Sequence, residues 1–230
     1  PKTKGKSKTN LGLFGPNTNA VMQNGIEGLN RYVRSNKASA EVITNYTKVV
    51  FKNRLEILLG YTGDKNSFAE VQSSYPSILQ LADQYYDIVL VDISSKLDSN
   101  IQQEILHISD IVVISMKQRL ESINKFLEEK EKSELLNSPK TLLLLGRYDR
   151  FSKYTSKNVT RYLREKNEVN TIPYNTLFFE ACEEGNIPDL FLRLRKINDE
   201  TDGNVFFLKE IKRLSDNIIY RLQDIQMRRR

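Results

Sequence analysis

At 230 residues, 39% of them hydrophobic, the chain is long enough to close a sizeable core and fits one large domain. Its one cysteine, Cys182, excludes an internal disulfide and points to a reducing, cytoplasmic compartment, and no apolar run approaches the roughly 20 residues that a membrane-spanning helix needs. The net charge of +6 sits at the ends: residues 1 to 9 carry Lys2, Lys4, Lys6 and Lys8 without an acid, and residues 193 to 230 carry ten Lys/Arg against six Asp/Glu.

The chain starts on Pro1, so it is not expected to begin at a translation start. Residues 1 to 22 are rich in Lys, Gly, Asn and Thr without periodicity and read as a loop. Gly5-Lys6-Ser7 matches the end of a phosphate-binding loop, but the earlier glycine, the preceding strand and the following helix that such a loop requires are missing. It reads as a chance match. Ile26, Leu29, Tyr32 and Val33 recur at helical spacing between Gly25 and Ser35, and Ala38 to Tyr46 is a second, short helix candidate. Leu55 to Gly60 reads as a strand ending on glycine. Ser74-Tyr75-Pro76 opens a helix through Tyr85, with proline in the first turn where its missing N–H costs nothing.

Residues Asp87 to Asp92 are apolar on both faces, the pattern of a strand buried inside a parallel sheet. The run ends on Asp92, followed by Ser94 and Ser95, and ligands of open α/β sheets lie at carboxyl ends of strands. Asp92 is therefore a candidate ligand-binding residue, the alternative being a cap on the next turn. From there helix and strand alternate: a helix over Ser99 to Ile108, a strand over Asp110 to Ser115, a helix over Leu120 to Lys132, and a strand over Thr141 to Gly146. A helix over Ser156 to Lys166 and a short strand over Val169 to Pro173 follow. Such alternation predicts a doubly wound, mostly parallel α/β sheet with helices on both faces.

Asn175 reads as the N-cap of a helix over Thr176 to Glu184 stopped by Gly185, and Ile187-Pro188 opens another helix through Leu194. The last helix runs from about Asn204 to Met227, with Leu208, Ile211, Leu214, Ile218, Leu222 and Ile225 on one stripe. Core packing is the expected use of that stripe, a membrane-surface helix the alternative. His107 and Cys182 have no metal-ligand or catalytic companion at usable spacing.

Four segments in order resemble the ParA/MinD group of P-loop ATPases, the deviant Walker family: L-E-I-L-L-G-Y at 55 to 61, Y-D-I-V-L-V-D-I-S-S at 86 to 95, S-D-I-V-V-I-S at 109 to 115, and N-T-I-P-Y-N with F-E-A and glycine at 170 to 185. The resemblance covers residues 24 to 230 of one domain and implies a P-loop-type three-layer α/β/α fold. It implies ATP or ADP and Mg2+ as cofactors, with Asp92 holding a magnesium-bound water and Arg147, Pro173, Tyr174 and Asn175 bordering the base. Ser94, Ser95 and Lys96 stand where the family has proline and glycine. The lysine-rich phosphate loop with its interior strand is absent from the chain. Because that strand's neighbours would each leave buried backbone groups unpaired at about 1 to 3 kcal/mol apiece, an upstream segment of about 40 to 60 residues is expected.

The resemblance implies a homodimeric, cytoplasmic positioning ATPase for DNA or a polar assembly. A non-hydrolysing scaffold of pilus or secretion machinery, TadZ-like, is the second reading, and a doubly wound binding domain without nucleotide the third. For a DNA partner the cluster Arg193, Arg195, Lys196, Lys209, Lys212, Arg213 and Arg221 is the candidate surface. The interspersed acids Asp199, Glu200, Asp202, Glu210, Asp216 and Asp224 favour helix-surface ion pairs instead.

Overall fold

The structure, a computed structural model, describes residues 25–35, 39–61, 63, 65–93, 97–197 and 199–228. Two units form around two apolar clusters, one within Pro1–Ile108 and Glu180–Pro188, the other within Ser109–Phe179 and Asp189–Arg230.

In the first unit, Ile26 and Leu29 lie three residues apart on α1 (Ile26–Arg34), so both face one side, and Leu29 is fully buried. They meet Ile43 from a 3-10 turn over Ala40–Asn45, Val71 from α2 (Lys65–Gln72), and Ile78, Leu81 and Ala82 from α3 (Tyr75–Asp83). Pro76 stands in the first turn of α3, as expected. The Leu55 strand is shorter than its apolar run and pairs locally. β1 (Lys48–Phe51) and β2 (Leu55–Ile57) form an antiparallel hairpin with Lys48 opposite Ile57. The turn is closed by Asn53 at φ 58, a left-handed conformation that asparagine tolerates.

The Asp87–Asp92 segment corrects the sequence reading: it is not a strand. Ile88, Leu90 and Val91 are 58%, 83% and 42% exposed, while Val89 packs against the first cluster. A strand apolar on both faces is buried only where ladder partners flank it and helices cover it, and among the described residues it has no ladder partner. α4 (Ser99–Ile108) follows, started by Asp98, whose carboxylate accepts the Asn100 N–H at 2.9 Å.

In the second unit, a parallel sheet has the order β3 (Val112–Lys117), β4 (Thr141–Tyr148), β5 (Asn170–Pro173). β4 is the middle strand, and its run of leucines from Leu142 to Leu145 supplies apolar groups to both faces. Val112 stands opposite Thr141 and Lys117 opposite Gly146, which aligns the carboxyl ends. α5 (Leu120–Lys130) and α6 (Ser156–Tyr162) make the two crossovers and bury Ile123, Phe126 and Val159 against Leu143, Leu145 and Tyr148. The α/β class with a parallel sheet and flanking helices is as expected.

α7 (Thr176–Glu184) stops where expected, at Gly185 with φ 74, and the Asn186 N–H donates back to the Ala181 carbonyl at 3.0 Å. α8 (Ile187–Leu194) and α9 (Val205–Arg228) complete the chain. Phe178 holds the rings of Phe191 and Phe207 at centroid distances of 6.1 and 5.4 Å.

α9 packs along β5 through polar groups: Thr171 donates to Glu210, Asn217 donates to Asn170 at 2.7 Å, and Arg221 donates to the carbonyls of Pro139 and Thr141 at 2.8 and 2.9 Å. The expected core stripe is only half-buried, with Phe207 the one fully buried residue of the helix. Length explains this: 24 helical residues span about 36 Å, whereas the four residues of β5 span about 13 Å.

Candidate functional site

Pairing of β4 with β5 slips between Gly146 and Tyr148, so that Tyr148 stands opposite Pro173 and Arg147 is left over. Arg147 takes φ 51, a left-handed conformation costly for a residue with a Cβ, and its side chain is exposed. A bulge of this kind at a strand end re-aims a side chain. Tyr148 itself is buried; its carbonyl accepts the Tyr174 N–H at 3.3 Å and its hydroxyl accepts the Ser156 N–H at 3.3 Å. The turn after β5 is thereby fixed to the end of β4.

Within that turn Pro173 closes the strand, Tyr174 is 54% exposed, and Asn175 caps α7. The Asn175 side-chain Oδ1 accepts the Phe178 N–H at 2.8 Å, the N-cap role read from the sequence, and its side-chain Nδ2 donates to Asn204 Oδ1 at 2.7 Å. The Tyr174 ring leans against Phe179 at 6.5 Å, presenting an aromatic face beside a rigid backbone. Arg147, Pro173, Tyr174 and Asn175 are thus gathered at the carboxyl ends of β4 and β5, as ligand sites of open sheets require.

Three further residues belong to the same end of the sheet and were not singled out in the sequence. Gln118, just past β3, donates to the carbonyls of Asp149 and Tyr154 at 3.0 and 2.9 Å and accepts the Asp149 N–H at 2.8 Å. It fixes the loop after β4, on which Phe151 is 83% exposed and the Arg150 guanidinium lies 4.9 Å from the Phe151 ring and 5.6 Å from that of Phe206. The available signal was position: polar, basic and aromatic residues directly after strands. The set offers flat faces and positive charge, suited to a heterocycle carrying anionic groups.

Asp92 belongs to the first unit, where its side chain is exposed at the end of the unpaired segment. Among the described residues no three His, Cys, Asp or Glu side chains are grouped as a closed metal site would need. Mg2+ takes one or two carboxylates and keeps its waters, so a single accessible aspartate fits it. Gly5-Lys6-Ser7, Ser94, Ser95 and Lys96 lie outside the described residues. Upstream of Asp92, Glu56 on β2 accepts hydrogen bonds from Thr47 at 2.6 Å and Tyr86 at 2.5 Å. Burial, with the Glu56 hydrogen bond second, pushes the Tyr86 hydroxyl up to about 12.

Most of the helical part of the candidate DNA cluster is paired. Lys209 meets Glu200 at 3.5 Å, Lys212 meets Asp216 at 2.7 Å, Arg213 lies 3.6 Å from both Glu168 and Glu210, and Arg221 serves the carbonyls named above.

No protein-family model matches the sequence, and no curated protein matches it either. Solved structures do. A ParA family ATPase from Chlorobium tepidum TLS superposes with a TM-score of 0.63 at 14% identity, over 81% of this chain and 74% of that one. The cell division ATPase MinD of Pyrococcus furiosus superposes with a TM-score of 0.53 at 15% identity, over 77% and 76%. The chain has a ParA/MinD-like fold. In this ParA/MinD-like fold the segments at 109 to 115 and 170 to 185 fall on β3 and on β5 with α7.

Proposed function

We propose that this chain is a ParA/MinD-like nucleotide-binding protein that works as a cytoplasmic, homodimeric positioning or partitioning ATPase, with DNA or a polar assembly as cargo. The observation that carries the proposal is the bulged strand end. Arg147 is turned out of the ladder by the Gly146/Tyr148 slip, beside the rigid Pro173-Tyr174-Asn175 turn. In this reading Arg147 and Tyr174 border the base of ATP or ADP, and Asp92 holds a water of a magnesium ion, which when bound neutralises phosphate charge. A non-hydrolysing, TadZ-like scaffold is the second reading, favoured by Ser94, Ser95 and Lys96 in place of the family's proline and glycine.

Calorimetric titration of the chain with ATP, with and without Mg2+, tests the proposal. Saturable binding that tightens with Mg2+ and loses that gain in Asp92→Ala is expected. Equal affinity of parent and variant under both conditions removes Asp92 from the site, and no binding at all removes the nucleotide. Phosphate release then separates the ATPase from the scaffold.

A further inference from the structure

On the flank of the second unit a cleft of about 150 Å³ opens between α5 and α6, lined by Leu120, Ile123, Tyr154, Asn158, Val159 and Tyr162. Its floor is the buried pair Ile123 and Val159, part of the apolar cluster under the sheet, and its rim is Leu120 and Tyr162, 44% and 50% exposed. Two of the polar groups on its edge are occupied: the Tyr162 hydroxyl donates to Asn124 across the two helices at 2.8 Å, and the Asn158 amide donates to the Lys153 carbonyl at 2.9 Å. What faces the cleft is aliphatic and ring carbon. An apolar cavity of this size takes a group about as large as benzene, which is the size of one leucine or phenylalanine side chain.

Charge around the cleft is one-sided. Arg119 opens α5, and Lys153, Lys157 and Arg161 follow the α6 side, the last two four residues apart on one helix face. None of these four makes an ion pair among the described residues, although the Lys153 ammonium lies 5.2 Å from the Tyr154 ring. On the α5 side Glu121 is exposed and Lys125 pairs with Glu129 at 3.9 Å, and at the start of α6 Glu168 accepts the Ser156 hydroxyl at 2.6 Å, so the four cations outnumber the acids Glu121 and Glu168 beside them. The basic residues of α9, by contrast, are largely paired. Nucleic acid meets cations too, but its bases stack on open aromatic faces, whereas here the rings of Tyr154 and Tyr162 share a slot with Leu120, Ile123 and Val159, and the Tyr162 hydroxyl is tied to Asn124.

We propose that the cleft docks a short acidic segment of a partner protein, with one leucine or phenylalanine side chain seated between Leu120 and Tyr162 and flanking carboxylates meeting Arg119, Lys153, Lys157 and Arg161. The cleft borders the loop after β4, since Gln118 donates to the carbonyl of Tyr154, one of its lining residues. Fluorescence anisotropy of the full chain with labelled Glu-rich peptides carrying a central Leu, Phe or Ser tests it. Saturable binding of the Leu or Phe peptide is expected, about tenfold weaker for the Ser peptide. Leu120→Ser should weaken the Leu peptide by a similar factor, and Lys157→Glu with Arg161→Glu should abolish both binding and its salt dependence. No saturable binding of any acidic peptide, or equal binding of the Leu and Ser peptides, overturns the proposal, and the second comparison needs no variant to fold. A single-stranded oligonucleotide that binds instead, sensitive to the charge reversal and indifferent to Leu120→Ser, overturns it in favour of nucleic acid.

Discussion

Tyr86 stands at the entry to the Asp87–Asp92 segment and is held there by Glu56, while its neighbour Tyr85 meets its ring edge-on at 4.9 Å. Its hydroxyl is raised in the folded chain from the ordinary 10.0 to about 12, first by burial and then by the Glu56 hydrogen bond. The folded state therefore keeps the proton where the unfolded chain releases it. The stabilisation is complete below pH 10, falls between pH 10 and 12, and is gone above that window. Burial, then Glu27 and Tyr61, also raise the Tyr75 hydroxyl, so titration of tyrosine absorbance should show a high-pH component in the parent that loses the Tyr86 share in Tyr86→Phe and keeps that of Tyr75. At the strand-end site, Asn175→Ala removes a helix cap and the bond to Asn204. A loss of about 1 kcal/mol is expected in urea unfolding, with slope unchanged, and Asn175→Asp should recover much of it because a carboxylate also caps.

At the scale of elements, the helices carrying their own start and stop signals were legible in the sequence. Ser99–Ile108, Thr176–Glu184 and Ile187–Leu194 lie where their apolar spacing, Asn175, Gly185 and Pro188 put them. What was not legible depends on partners distant in sequence. The Asp87–Asp92 run has the composition of a buried strand, but pairing decides whether such a run is one. The slip that exposes Arg147 and the clamp of Gln118 on Asp149, 31 residues away, likewise leave no local trace. The β1–β2 hairpin went unread because Lys48–Phe51 is too short to show a period. Hydrogen exchange checks the correction: amides of Ile88 to Ile93 should exchange quickly, whereas those of Leu142 to Leu145, in the middle strand, should be among the slowest. Strong protection over 88 to 93 would restore the buried strand.

At the scale of the molecule, α/β alternation and the order of four motif segments pointed to one fold, and the likeness to a ParA family ATPase and to MinD agrees with it at 14% and 15% identity. Identity that low carries the fold, and function has to be argued from the site. Arg147, Tyr174 and Asn175 share one strand end because backbone pairing puts Tyr148 beside Pro173, so their proximity belongs to the fold and not to side-chain choice. Asp92 was found by its place after an apolar run, and its role rests on nucleotide binding.

Photolabelling with 8-azido-ATP, followed by peptide mapping, tests the nucleotide site most directly, because the reactive group sits on the base. The account predicts saturable, ATP-protected adducts on the peptides carrying Arg147 and the Pro173-Tyr174-Asn175 turn. Absence of protected labelling, or protected adducts confined to other peptides, would contradict it.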